Sequence, residues 1–287
     1  MNLIFSSLIG VSITVMAATS PIFFEPHQFF DTSIQTFSEL NYVFSGRHQV
    51  QPRQLGVFMG HQNREWGYNW FLFAAVLPSN YGTLGFGYSN YGSTELPITE
   101  LTSIGAIIKE YGSDTFESIV LSYEPKITKV NVQLISNLKV RRLLNETAKA
   151  VFIDIQLTSS KLFNNQVGIR TKNLIGTPYQ WDGHSNTLPK RVSLYFTQPM
   201  NVATVLLEYD HCLNYNELSM IMGHISLSIS DELSIFSSYR VSQHIKSLSF
   251  GTQLDISDIF YLGYVNQMEF NKNMDLSIHS INIGVRF

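Results

Sequence analysis

From Gln54 to the last residue the chain is a succession of short segments in which apolar and polar residues alternate, with turn-forming residues between them. Successive side chains of a strand point to opposite faces, so this pattern constrains the fold more than any other feature. Fourteen segments stand out, at 54–60, 67–77, 83–92, 115–124, 129–142, 149–159, 165–174, 189–198, 202–212, 217–230, 233–242, 246–255, 258–268 and 275–287. The clearest is 129–142, where Val130, Val132, Leu134, Leu138 and Val140 share one face and Asn131, Gln133, Asn137, Lys139 and Arg141 share the other. The next segment sets Val151, Ile153, Ile155 and Leu157 against Asp154, Gln156 and Thr158.

A soluble β-sandwich also buries one face of each strand, so alternation alone does not choose the solvent. Composition helps. Only 14% of residues are charged, against about 25% in a typical soluble domain. No run beyond residue 20 approaches the ~20 apolar residues of a membrane-spanning helix. Low charge without long apolar runs fits a transmembrane β-barrel, whose strands show lipid and lumen alternate side chains. The 20 Phe, 14 Tyr and 3 Trp suit the aromatic girdles of such a barrel. A net charge of -3 gives no basis for a nucleic-acid partner. The single cysteine, Cys212, excludes an internal disulfide and reads as a small buried hydrophobe.

Residues 1–18 read as a secretory signal peptide: an apolar stretch from Leu3 to Met16, then Val15-Met16-Ala17 or Met16-Ala17-Ala18 as a small-residue cleavage site. Residues 19–53 are broken by Pro21, Pro26 and Pro52, with Asp31 placed to cap a short helix through Phe37 to Leu40. This part is expected to be a periplasmic leader or a plug, and 54–287 the barrel.

The turns sort by length. Counted back from the C-terminus, one end of the structure receives the short connections PSNYG, EPKITK, FNN, QPMN, SDE and ISD. The other receives the two longest, 93–114 and 175–190. Short periplasmic turns and longer external loops are the outer-membrane rule. The last segment places Ile281, Ile283, Val285 and Phe287 on one face and Asn282, Gly284 and Arg286 on the other. In an open sheet that strand would invite aggregation, whereas closure against the first strand removes the edge. Phe287, with Val285 and Ile283, is similar to the terminal signal that outer-membrane assembly machinery reads, with Val285 standing where a further aromatic is usual.

FAAVLPSNYGTLGFGYSNYG, with Pro78 at the turn and Gly82, Gly85 and Gly87 beyond it, resembles the early hairpin of PorV/PorQ-type proteins. LSYEPKI, IFSSYRVS and FYLGYVNQ…HSINIGVRF are similar to later strands of the same family. The resemblance covers about 54–287 and implies a fourteen-stranded, FadL-like outer-membrane barrel. The Asn-Pro-Ala-Gly-like stretch of the family's N-terminal hatch is absent from 21–53.

Catalytic motifs are not evident. GYSNYG lacks the G-x-S-x-G spacing, and His184 and Ser185 are neighbours in sequence within a polar loop. EYDHCLNYNE gathers Glu208, Asp210, His211 and Glu217 at an external rim, where acidic residues are ordinary. His224 shares a face with Met222 and reads as a lumen-wall residue. No enzyme activity and no cofactor are expected. The presumed lumen wall comprises Glu117, Glu124, Asn131, Gln133, Asn137, Lys139, Arg141, Asp154, Gln156, Arg170, Lys172, Arg191 and Glu208. Fourteen strands enclose more space than wall side chains fill. The Phe-bearing segment 21–53 is the available plug, expected against residues such as Met220 and Met222. Two functions fit. One is a channel for small or hydrophobic solutes; the other is a non-conducting scaffold whose external loops hold a secreted protein partner. Both require a lipid bilayer.

Overall fold

The computed structural model describes residues 42–44 and 54–287, apart from 65–68, 103–104, 127–129, 145, 160–164, 182–183, 215–218, 244, 258 and 272–273. The signal peptide and the Asp31 helix lie outside the described residues.

Seventeen strands follow in chain order. The first seven are β1 (Gly56–Arg64), β2 (Asn69–Pro78), β3 (Gly82–Thr102), β4 (Gly105–Pro125), β5 (Val130–Leu143), β6 (Glu146–Ser159) and β7 (Gln166–Lys172). Three short ones come next: β8 (Ile175–Gly176), β9 (Tyr179–Trp181) and β10 (His184–Asn186). The remainder are β11 (Arg191–Pro199), β12 (Ala203–Cys212), β13 (Met220–Ser228), β14 (Leu233–Ser242), β15 (Ile245–Asp255), β16 (Phe260–Asn271) and β17 (Met274–Arg286). The main sheet has fifteen members, which are fourteen wall strands and the two-residue β8. Every pairing is antiparallel, and nearly every wall strand pairs with its sequence neighbours.

The ring closes where β1 meets β17, from Gly56↔Arg286 to Arg64↔Ile278. At that seam the Phe287 N–H donates to Leu55 O at 2.8 Å, and on the other side of β17 the Arg286 N–H donates to Ile259 O at 3.0 Å. Closure leaves the ring of wall strands without a free edge, which is the condition lipid imposes on a sheet. The strand bounds follow the alternating segments closely because the period-two signal decides both.

Burial is inverted relative to a soluble protein. Leu134, Leu138, Val151, Ile153, Ile281 and Ile283 are exposed on the outside, while Lys139, Arg141, Arg170, Arg191 and Glu208 are buried inside. An apolar outer belt around a polar interior is the solution for a wall in a bilayer. This is the architecture of a transmembrane β-barrel, and the rim with the chain end and the shorter turns is termed the periplasmic one.

Two expectations about loops are corrected. Residues 93–114 are not a loop: β3 and β4 continue as a paired hairpin out to Thr102↔Gly105, with register shifts between Ser93 and Leu96 and between Ile98 and Thr99. Since β2 stops at Asn69↔Gly92 and β5 at Asp114↔Leu143, this hairpin rises above its neighbours. Residues 175–190 do not extend outward either, as the next section shows.

Candidate functional site: the barrel lumen

Inward positions are set by strand parity, and most of the residues expected to line the lumen do so. On β5, Gln133, Asn137, Lys139 and Arg141 are buried inside, with Asn131 half-buried on the same face. Asp154 and Gln156 of β6, Arg170 and Lys172 of β7, Arg191 of β11, Glu208 of β12 and Glu124 of β4 join them. His224 and Met222 also face inward on β13.

Glu117 is the exception. It lies an odd number of positions from Glu124 in an unbroken strand, so both cannot face the same side. Glu117 points outward near the external end of β4 and pairs with Arg142 of β5.

The charged residues form cross-strand pairs. Arg170 Nη2 donates to Glu208 Oε1 at 2.6 Å and to Ser193 Oγ at 3.2 Å, and both charged side chains are about 1% exposed. Beside it, Arg191 and Asp210 form an ion pair at 3.3 Å. Asp154 accepts from Asn137 Nδ2 at 2.9 Å and from the Asn173 N–H at 2.6 Å. Gln156 Nε2 donates to Tyr195 Oη at 2.8 Å, which also bonds Thr158. Asp114 accepts from Arg141 at 3.4 and 3.5 Å. Asp114, Tyr195, Arg240 and Glu269 are lumen residues that the sequence reading left out; they share inward parity with Glu124, Arg191, Met222 and Gln267 respectively. The rim cluster EYDHCLNYNE is pulled apart. Glu208 and Asp210 face the lumen arginines, whereas His211 meets Tyr209 and Ser219 on the other face.

The opposite side of the lumen carries two apolar clusters, set among buried polar residues such as Ser122, Glu124 and Asn282. Phe58, Ala74, Val76, Val120, Ile135 and Tyr261 form one buried cluster, and Tyr42 and Val43 of the N-terminal segment are part of it. Trp70, Leu72, Tyr91, Phe116 and Ile278 form a second, with Phe44 packed against both. The helical turn 42–44 is therefore seated inside the barrel. Its fit depends on glycine: a Cβ at Gly87 would lie 2.7 Å from Val43 and 2.9 Å from the Phe44 ring. At Gly85 it would lie 3.0 Å from Val43, so β3 offers a bare backbone groove where the turn rests. Polar contacts fix the seat. Tyr42 Oη donates to Thr83 O at 3.2 Å, and Gln133 Nε2 donates to Tyr42 O at 3.0 Å. Burial, and then the Glu124 carboxylate beside it, push the Tyr42 phenol above its ordinary range, so it remains a donor. Tyr42–Phe44 rest on β1–β5 and β16, where glycines leave room; the helix expected against Met220 and Met222 lies outside the described residues.

At the external mouth the chain from β7 to β11 turns inward. Asn173, at φ 54°, kinks the chain between β7 and β8, which both run antiparallel to β6, and its Nδ2 donates to Pro189 O at 3.1 Å to close the loop on itself. Tyr179 is then buried against Ala148, Ala150, Phe152 and Leu188 on the lumen side of β6. Trp181 follows, with the Arg141 guanidinium 5.8 Å from its ring and 4.5 Å from that of Phe116. The lumen thus holds one segment from each end, between an aromatic wall and a charged one.

No family profile matches this sequence, and no curated protein sequence matches it either. Solved structures do. The CymD monoaromatic hydrocarbon channel matches with a TM-score of 0.54 and 11% identity, over 83% of this chain and 90% of that one. The fold is that of an outer-membrane β-barrel. The Pseudomonas putida toluene transporter TodX gives a TM-score of 0.55 at 10% identity, over 82% and 89%. The Acinetobacter baumannii outer membrane protein Omp33 gives 0.50 at 10%, over 82% and 98%. At such identities the shared property is the barrel fold itself; the seat for residues 42–44 and the inward loop are read from this chain alone.

Proposed function

We propose that this barrel is a channel for small or hydrophobic solutes, kept shut at rest by its own N-terminal segment. The observation that carries this reading is the lumen's division into two unlike walls, with Tyr42–Phe44 on the apolar one. A solute with an apolar body finds rings and aliphatic side chains on one side and hydrogen-bonding partners on the other. The channels CymD and TodX, which share the fold, are of the hydrocarbon type, and the resemblance of 54–287 to PorV/PorQ-type proteins is part of the same reading. Removing residues 21–50 while keeping the signal is expected to raise single-channel conductance in planar bilayers. Near-zero current from both full-length and truncated protein would overturn the channel. It would leave the projecting β3–β4 hairpin as the docking element of a scaffold for a secreted protein.

Assembly belongs to the same proposal. Phe287 is 71% exposed on the lipid side, whereas the Arg286 guanidinium lies inward, 3.9 Å from the Tyr261 ring. Phe287→Asp is expected to cut the heat-modifiable, membrane-inserted yield far more than Arg286→Ala, which gives up a cation–π contact of about 0.5–2 kcal/mol. Equal yields would mean that the terminal aromatic plays no part in delivery to the assembly machinery.

A further inference from the structure

Among the described residues, two hollows of the outer wall lie in its periplasmic half. The larger, of about 750 Å³, lies on β2–β5. Leu77, Leu84, Leu121 and Leu134 form its sides, and the small side chains of Ala75 and Ser136 leave it open. The smaller, of about 510 Å³, lies on β13–β16 between Leu227, Ile235 and Phe250. Each is lined by the outward, apolar side chains of the belt, so each is continuous with the surface that lipid must cover.

Their periplasmic rims differ in charge. Below the larger hollow, the turn after β2 and the end of β4 bring together exposed Tyr81, Tyr123 and exposed Lys126. Tyr81 O accepts from Tyr123 Oη at 3.2 Å and from the Lys126 N–H at 3.1 Å, which holds the three at one point of the rim. The turns below the smaller hollow carry Asp231, Glu232 and Asp255. An apolar slot beneath which a cation and two phenols meet at headgroup depth is the chemistry that recognises an anionic phospholipid. The acidic rim repels the same headgroup.

We propose that the hollow on β2–β5 is a binding site for an anionic glycerophospholipid of the periplasmic leaflet. The acyl chain lies between Leu84 and Leu134, and the phosphate sits at Lys126 with the Tyr81 phenol beside it. This site faces lipid and does not depend on whether the lumen conducts.

The test uses the full barrel, purified in detergent and incubated separately with phosphatidylglycerol and phosphatidylcholine, with bound lipid counted by native mass spectrometry. The wild type is expected to retain phosphatidylglycerol preferentially. Lys126→Ala should lower that occupancy about five-fold, in keeping with one basic residue at a membrane surface. Ser136→Trp, which fills the slot, should lower retention of both lipids. Lys149→Ala, an exposed lysine at the external end of β6, should leave retention unchanged. Equal retention of the two lipids by the wild type would overturn the proposal, as would equal losses in Lys126→Ala and Lys149→Ala. If Ser136→Trp does not assemble, the exposed Lys126 variant decides the question alone.

Discussion

Arg170→Met is expected to destabilise the barrel by about 3–5 kcal/mol in urea unfolding, among the largest effects of any single lumen substitution. The reason lies in what remains. Glu208 is as buried as its partner and accepts from Arg170 at 2.6 Å, so removing the guanidinium strands a carboxylate in a dry interior. The Arg170→Met, Glu208→Leu double variant removes both charges and should regain most of the loss, since an apolar pair of similar volume is often no worse than a buried ion pair. A double variant as unstable as the single one would show that the pair does not act as a unit.

A comparable loss is expected at the lipid face. Leu134→Arg places a charge on the outer belt of β5 and should cost about 2–4 kcal/mol near the bilayer midplane. The adjacent inward position, Gln133, is a poor comparison because its side chain holds the backbone of Tyr42. Asn131, inward and half-buried two positions earlier, is the better one, and Asn131→Arg should change stability little. If Asn131→Arg were the more damaging of the two, the register of β5 would be displaced by one residue.

Much of this wall was legible in the sequence because a period of two is a local property. Val130 to Arg141 alternate except at Ile135 and Ser136, and from that the strand, its faces and five of its inward residues follow directly. Glu117 shows the limit. It was placed with Glu124 because both are acidic and near each other, although parity forbids it. The stretch 93–114 reads as a loop because Pro97 and its broken alternation hide a pairing that persists across two register shifts. The inward course of 175–190 depends on Asn173 bonding across to Pro189 and on space over Ala148 and Ala150, none of which leaves a periodic trace. The seat of residues 42–44 is legible only in hindsight, as glycines at 85 and 87 on the face that turns inward.

That seat has a consequence for the order in which the molecule is made. Tyr42 and Val43 share a cluster with Phe58 from the first strand and with Tyr261 from the penultimate one, residues that come together only when the first and last strands have met. Most of the seat is on β1–β5, but the Tyr261 side reaches it only on closure, and contacts so distant in sequence form late. Fully seated only on the finished ring, the turn acts as a tethered ligand of the closed state and draws the open-to-closed equilibrium toward it. A barrel whose seam has not zipped offers its own beginning a berth with one wall missing, so full protection of Tyr42 from proteolysis would serve as a stopwatch for the moment of closure.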